Sequence, residues 1–341
     1  MRIDFFESTK KQNSIYFGGG TPSLLSEYEL NSLLQAAYKV FSFSENPEIT
    51  LEANPEDMNR EKLIAWKKLG FNRLSIGVQS LQNSVLKLLN RGHKRENALA
   101  AIALAQDCGF ENITVDVIFG IPTLLTKTLE EDLNTFLRTG VPHISAYSLT
   151  IEPKTALHRY TEQRKIALPD EETATEQFLL VCQILTENNF RHYEISNYGK
   201  ENYYSQHNTN YWKKGTYLGI GPSAHSYDGE NRYANIANNQ RYVREILSGK
   251  LPQTIENLTL HDHINEYLLT SLRTEDGIDL TFLSEKYHFE MQKVFSNQIE
   301  KNLSNKLIFT DNEKIKLTLE GKLFADAIAG DFFLLKNDKI C

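Results

Sequence analysis

The chain has 341 residues, 37 Lys and Arg against 44 Asp and Glu, and a formal net charge of −7. Hydrophobic residues make up 40% and charged residues 24%, a globular composition with ample length for a core and for two domains, or for one large barrel with an appendage. The acidic balance argues against a nucleic-acid binder held by phosphate contacts, no apolar run reaches membrane-spanning length, and the opening "MRIDFFESTKK" lacks the apolar stretch of a signal peptide. Cys108, Cys182 and Cys341 are far apart, so they form neither a disulfide framework nor a metal-ligand cluster. A reducing, cytoplasmic setting is the expectation.

Strand-like and helix-like segments alternate from the start. "SIYF" (14–17) reads as a strand, and "EYELNSLLQAAYKVF" (27–41) reads as a helix. "EITLEANP" (48–55) is a strand, "NREKLIAWKKLG" (59–70) a helix stopped by glycine, and "RLSIGVQS" (73–80) a strand. Helices at "SVLKLLNRG" and "RENALAAIALAQDCG" precede the strand "ITVDVIFGIP" (113–122) and the helix "LEEDLNTFLRTG" (129–140). The strand "HISAYSLTI" (143–151), the long helix "EETATEQFLLVCQILTENN" (171–189) and a possible sixth strand "HYEIS" (192–196) follow. Regular alternation predicts an α/β fold with a parallel sheet, closed or open, and working groups at the carboxyl ends of its strands.

After Gly229 the pattern becomes mainly helical, with "RYVREILSGKLP", "HDHINEYLLTSLRTEDGID" and "LTFLSEKY". "KLIFTDNEKIKL" reads as a hairpin running into a last helix. The expected domains are therefore 1–229, an α/β barrel, and 230–341, a helical domain with a winged hairpin.

The strand ends are polar. "YFGGGTP" presents Gly18 to Thr21, "LEANP" presents Glu52 and Asn54, and "GVQS" presents Gln79. "TVDVIFG" carries Asp116 between Val115 and Val117, and "SAYSLT" presents Ser145, Tyr147 and Ser148. A buried carboxylate needs a partner, so Asp116 is either a structural acid paired with a neighbouring strand or a ligand contact. The glycine triplet admits an anion cradle, a backbone edge for an amine or carboxylate, or a tight turn. It is neither a P-loop nor G-x-G-x-x-G. Together the five strand ends point to a hydroxyl- and amine-bearing ligand across the mouth of a barrel.

"YFGGGTPSLL", "LEANP", "SIGVQS", "LNRGH", "DVIFGIP" and "HYEISNY", in this order and spacing, resemble the radical S-adenosylmethionine proteins related to oxygen-independent coproporphyrinogen III oxidase. The resemblance implies a partial (β/α) barrel, open on one side, followed by the C-terminal helical domain. It also implies roles. Gly19, Gly20 and Thr21 would hold the methionine portion of S-adenosylmethionine, and Glu52 and Gln79 would meet its polar groups. Arg91 would pair with a carboxylate, Asp116 would contact the nucleoside, and Ser148 would be a further contact.

Within this group the chain resembles the HemW-type heme chaperones through "SQHNTNYWKKGTYLGIGPSAHSY" (205–227). That stretch contains H-N-x-x-Y-W as His207, Asn208, Tyr211 and Trp212, which in that branch is associated with heme. On the residues alone the segment has no helical or strand period, and an ordinary loop with a satisfied histidine is the alternative. His is the usual axial ligand of heme, and Tyr211 and Trp212 would flank the macrocycle. His225 and His192 are further candidate ligands. The implied cofactors are S-adenosylmethionine, heme and a [4Fe-4S] cluster, and the implied partner is an acceptor apo-hemoprotein.

The cluster needs C-x-x-x-C-x-x-C upstream of the glycine triplet. Only thirteen residues precede Ser14, and they hold no cysteine. They read as the end of a helix leading into the second barrel strand, with the first strand missing. Because the cofactor-contacting residues all remain, a truncated start is favoured over a true loss. Cys108 and Cys182 fall in helical patterns and are expected in the core. The expected function is a heme chaperone. The alternatives are an oxygen-independent coproporphyrinogen III oxidase, which is a radical decarboxylase of porphyrin biosynthesis, or a cluster-less binding module.

Overall fold

Five strands run parallel in sequence order: β1 (Gln12–Phe17), β2 (Phe43–Ala53), β3 (Arg73–Gln79), β4 (Asn112–Phe119) and β5 (His143–Ser148). Helices α1 (Glu27–Val40), α2 (Arg60–Leu69), α3 (Asn83–Leu88), α4 (Arg95–Asp107) and α5 (Thr126–Thr139) form the connections. The computed structural model describes residues 11–153, 156–163, 166 and 171–335. The expectation of a helix end before "SIYF" lies outside the described residues, as does Cys341.

After α6 (Ala156–Glu162) and α7 (Glu171–Glu187), strands β6 (Arg191–Glu194) and β7 (Asn197–Gly199) complete a curled seven-stranded sheet of order β1-β2-β3-β4-β5-β7-β6. "HYEIS" is thus half of an antiparallel pair with β7, which itself runs antiparallel to β5. A two-residue connection has no room for the crossover that a parallel neighbour requires.

Local signals set the helices. Ser26 caps α1 through a reciprocal box with Glu29, whose carboxylate accepts the Ser26 N–H at 2.8 Å. Asn59 caps α2 by accepting from Lys62 N at 2.9 Å. Period-two alternation then sorts the sheet faces. Ile49, Leu51, Leu74, Ile76, Ile113, Val115, Val117 and Ile144 are buried hydrophobics, as are Leu63 and Trp66 of α2, Ile102 of α4 and Leu133 and Phe136 of α5. The alternate positions carry Thr50 and Glu52, Arg73 and Ser75, Thr114 and Asp116, His143 and Ser145. Register brings these into rows, Glu52 opposite Ser75, Ser75 opposite Thr114, Thr114 opposite His143. The second face of the sheet is therefore polar.

The deep part of that polar face closes on itself. Arg73 Nε lies 3.8 Å from Glu48, and Arg73 Nη2 donates to Thr114 Oγ1. His143 joins Thr114 at 3.0 Å to the Tyr193 hydroxyl at 2.8 Å, and that hydroxyl accepts from Ser205 N at 3.3 Å. Ser205 Oγ returns to Glu48 at 3.5 Å. Burial, then the charge on Arg73, holds the His143 imidazole well below its ordinary range, so the ring is neutral.

Lys11–Ser205 form one compact unit, and the residues from Gln206 onward belong to a second. The boundary thus falls before the expected 229. Gly229 lies in the turn of a hairpin, β8 (His225–Tyr227) pairing with β9 (Asn231–Asn235), which pairs in turn with β10 (Gln253–Asn257). Hydrogen bonding across 229 ties both sides together.

The second unit opens with α8 (Gln206–Trp212), a short helix in a stretch whose residues show no helical or strand period. Its further elements are α9 (Asn239–Leu247), α10 (Leu260–Leu272), β11 (Ile278–Asp279), α11 (Leu280–Tyr287), α12 (Met291–Val294) and α13 (Ser296–Ser304). The expected hairpin is β12 (Ile308–Asp311) with β13 (Lys314–Leu317), joined by β11 in a three-stranded sheet. Helices α14 (Leu319–Lys322) and α15 (Ala325–Asp331) close the described chain. Ile264, Leu268, Leu283, Phe289, Phe295, Ile315, Ile328 and Phe332 form this unit's core. Among the described residues no helix is long and apolar enough to cross a membrane.

Candidate functional site

Where β1 to β5 end, the polar face opens to solvent. The three glycines differ in what they do. At Gly18 a Cβ would lie 2.6 Å from Tyr16 Cε1 and 2.7 Å from Glu52 Oε1, so any side chain there would displace the Tyr16 ring and the Glu52 carboxylate from each other. Gly19 adopts φ +75°, a left-handed conformation natural to glycine, and its N–H donates to Glu52 Oε2 at 3.3 Å. At both Gly19 and Gly20 a Cβ would meet nothing within 4 Å. The backbone there is open to whatever approaches it, and Thr21 beside it is exposed.

Glu52 accepts from the Tyr16 hydroxyl at 2.8 Å. Burial, then the charges on Glu52 and Asp116, push that hydroxyl well above its ordinary range, which keeps it a donor. Asp116 accepts from Ser75 Oγ at 3.2 Å. Its carboxyl is pushed up to about 7, first by burial and next by the charge on Glu52, against the opposing pull of Ser75, Arg73 and Arg91. The lone acid of the fourth strand thus lies on the polar face with Glu52, as expected, and its protein partner is a hydroxyl rather than a cation.

Arg91, just beyond α3, turns back over β3. Its Nη2 donates to Asn54 Oδ1 at 2.6 Å and to the Gly77 carbonyl at 2.8 Å. A Cβ at Gly77 would sit 3.1 Å from that nitrogen, so Gly77 makes room for it. Arg91 Nε is buried with no hydrogen-bond partner among the described residues. Gln79 ends β3 with φ +70° after a register shift, and its Oε1 accepts from the Tyr147 hydroxyl at 3.0 Å. Ser148 is exposed at the end of β5, where its Oγ would lie 3.0 Å from a Cβ on Gly120.

Hydrogen bonds and charge therefore join Gly19, Glu52 and Asp116 to one another, while Arg91 bonds Asn54 and the Gly77 carbonyl and Gln79 bonds Tyr147, the Arg91 and Gln79 side chains both lying over Gly77. No hydrogen bond ties Gly20, Thr21 or Ser148 into this group. Tyr16, Ser75 and Gly77 were not singled out from sequence, although parity offered a signal. Tyr16 is two residues before Gly18, and Ser75 and Gly77 step back by twos from Gln79.

In the second unit, His207 and Tyr211 share one face of α8 at the four-residue spacing, their ring centroids 5.0 Å apart. Tyr211 continues to Tyr217 at 4.4 Å, and Tyr217 to Tyr227 at 6.4 Å. Trp212 turns elsewhere, with the Arg273 guanidinium 5.6 Å from its ring. The flat surface beside His207 is thus a row of tyrosines and not a Tyr–Trp pair. Asn208 lies on the same short helix, half-buried.

His225 is exposed at the start of β8. His192 is no open ligand. It is buried, its Nε2 facing the Ile195 carbonyl at 3.1 Å and its Nδ1 facing Cys182 Sγ at 3.8 Å, and it stacks on Tyr198 at 4.1 Å. Cys182 is in the core as expected, whereas Cys108 caps the end of α4 and is only half-buried. No group of three or more His, Cys, Asp or Glu that could hold a metal ion occurs among the described residues.

Comparison with known proteins places this geometry. Residues 2–136 match the Radical SAM superfamily, and residues 258–324 match the HemN C-terminal domain. The chain is 33% identical over 321 residues to the protein called heme chaperone HemW in Bacillus subtilis, covering 94% of this chain and 85% of that one. It is 31% identical over 334 residues to the Lactococcus lactis protein of the same name, covering 97% and 88%. Among solved structures it resembles the Escherichia coli coproporphyrinogen III oxidase HemN, a radical SAM enzyme, with a TM-score of 0.80 at 21% identity over 94% of this chain and 77% of that one.

Proposed function

This chain belongs to the HemW branch of the radical S-adenosylmethionine superfamily, and on that premise we propose that it binds heme through α8 and delivers it to an acceptor apo-hemoprotein. The observation that carries the reading is the pairing of His207 with Tyr211 on one helix face, at the head of a row of tyrosines. A neutral imidazole is a good iron ligand. Burial, then Tyr217, pushes the Tyr211 hydroxyl up to about 12. It remains a phenol near neutrality, offering its ring to the macrocycle and leaving ligation to His207.

The oxidase is the second reading. Its resemblance, at 21% identity, is one of fold, whereas the Bacillus subtilis and Lactococcus lactis relatives, at 33% and 31% identity, are named as heme chaperones.

The strand-end group suits S-adenosylmethionine. Open backbone at Gly19 and Gly20 would take its amino-acid end, Glu52, Gln79 and Asp116 its polar groups, and the unpaired Arg91 Nε a carboxylate. Thr21 and Ser148 would line the edge. This cofactor supplies radical chemistry only beside an iron–sulfur cluster. Cys108, Cys182 and Cys341 lack the three-thiolate spacing such a cluster needs, so no redox step is assigned to the residues of this chain. The sparse free cysteines suit a reducing cytoplasm.

The test is a heme titration followed in the Soret band, with wild type and His207→Ala. Saturable binding that weakens about tenfold or more in the variant, with an altered spectrum, supports the reading. An unchanged affinity and spectrum would remove His207 as ligand, and no saturable binding by wild type would remove the chaperone reading.

A further inference from the structure

Helix α8 ends in an unusual way. Lys214 N donates to the Tyr211 carbonyl at 3.1 Å and Gly215 N to the Asn210 carbonyl at 2.8 Å, while Lys214 adopts φ +53°. That is the left-handed position after a helix, which glycine fills most easily. Here a lysine occupies it, in a conformation that strains any residue with a side chain. Glycine stands one position later, where a side chain would collide with Asn210.

The strained backbone directs the lysine inward. Its side chain is 13% exposed, and its Nζ donates to the His263 carbonyl at 3.0 Å and lies 3.3 Å from Glu266. The ammonium is 5.8 Å from the centroid of Tyr227, the far end of the row that begins at His207. Arg232 on β9 engages the same Glu266, and also Glu256 at 3.3 Å. Lys286 stands near, over Phe282 and Tyr287. Burial lowers the Lys214 ammonium below its ordinary range, and Lys286 and Arg232 add to that against the pull of Glu266. Three cations, Lys214, Arg232 and Lys286, thus face two carboxylates, Glu266 and Glu256, an excess of positive charge in a chain whose net charge is −7. An ammonium has three N–H donors, and two acceptors are in place.

We propose that Lys214, with Arg232 beside it, is the subsite for a propionate carboxylate of the bound heme. The inference rests on the heme reading above and adds to it the group that fixes the macrocycle's orientation. The tyrosine row takes the apolar plane, His207 the iron, and Lys214 the acidic edge. No covalent step is involved.

The experiment compares heme with its dimethyl ester, in which both propionates are neutral, on three forms of the chain. Glycine suits φ +53°, so Lys214→Gly removes the ammonium without backbone strain, and Lys214→Arg retains the charge. A thermal melt checks the folding of each. The expected result is that wild type binds heme about tenfold tighter than the diester, as a charge-assisted contact allows. Lys214→Gly binds both alike, and Lys214→Arg keeps the preference. Equal binding of heme and diester by wild type would overturn the proposal while leaving the heme reading intact. So would a full preference in Lys214→Gly. Saturable binding of neither probe by wild type would instead bring down the heme reading, and this subsite with it.

Discussion

Replacing Asp116 by Asn should stabilise the chain at pH 8 and change it much less at pH 5. The native carboxyl titrates at about 7, against an ordinary 3.8. Between those values the native state holds a proton that the unfolded chain has released, so native stability falls as pH rises through the window. The interval is about three pH units, and at about 1.4 kcal/mol each the full penalty is roughly 4 kcal/mol. Asp116 keeps some contact with solvent at the strand end, which reduces the expected effect to about 2 kcal/mol. Asn can still accept from Ser75, whose Oγ is 3.2 Å from Oδ1, so packing is preserved. Urea denaturation at pH 5, 6, 7 and 8 would measure it. Other titrating groups largely cancel in the difference between variant and wild type. A difference that does not grow with pH, or a wild type that is the more stable at pH 8, would refute the reasoning that the Asp116 charge is held on this face at the expense of stability.

Three further outcomes are expected. Gly18→Ala places a methyl 2.6 Å from Tyr16 and 2.7 Å from Glu52. It should lose about 1–3 kcal/mol in denaturant melts and weaken S-adenosylmethionine binding, and a melt like that of wild type would count against the tight fit. Gly20→Ala meets no protein atom within 4 Å, so its melt should match wild type while S-adenosylmethionine binding by calorimetry weakens. Unchanged affinity would mean that no ligand lies against that glycine. Anaerobic reconstitution of the chain with iron and sulfide should yield neither the broad visible absorption of a [4Fe-4S] centre nor reductive cleavage of S-adenosylmethionine, because three suitably spaced cysteines are absent from its sequence. Stoichiometric cluster with cleavage would contradict that.

The α/β alternation, the polar strand ends and the terminal hairpin were legible in the residues, because these depend on local periodicity and on single residues out of place. Asp116 was legible because a charge between Val115 and Val117 has few places to go. Glycine runs and H-N-x-x-Y-W were legible as composition. Tyr16, Ser75 and Gly77 were not, since their parity with Gly18 and Gln79 gives a face of the strand but no partner on it. They acquire meaning only when register sets Glu52 beside Ser75 and brings Tyr16 to Glu52 across 36 residues. The β8–β9–β10 sheet was missed because three- to five-residue strands are too short for a period to declare itself. Helix α8 was missed because His, Asn, Thr, Tyr and Trp, which make up most of its seven residues, are all weak helix formers. Lys214 is the clearest case. Nothing in "YWKKGTY" says which residue takes the left-handed turn, and the tertiary structure decides it, because Asn210 leaves no room for a side chain at 215 and Glu266 and Tyr227 receive the lysine.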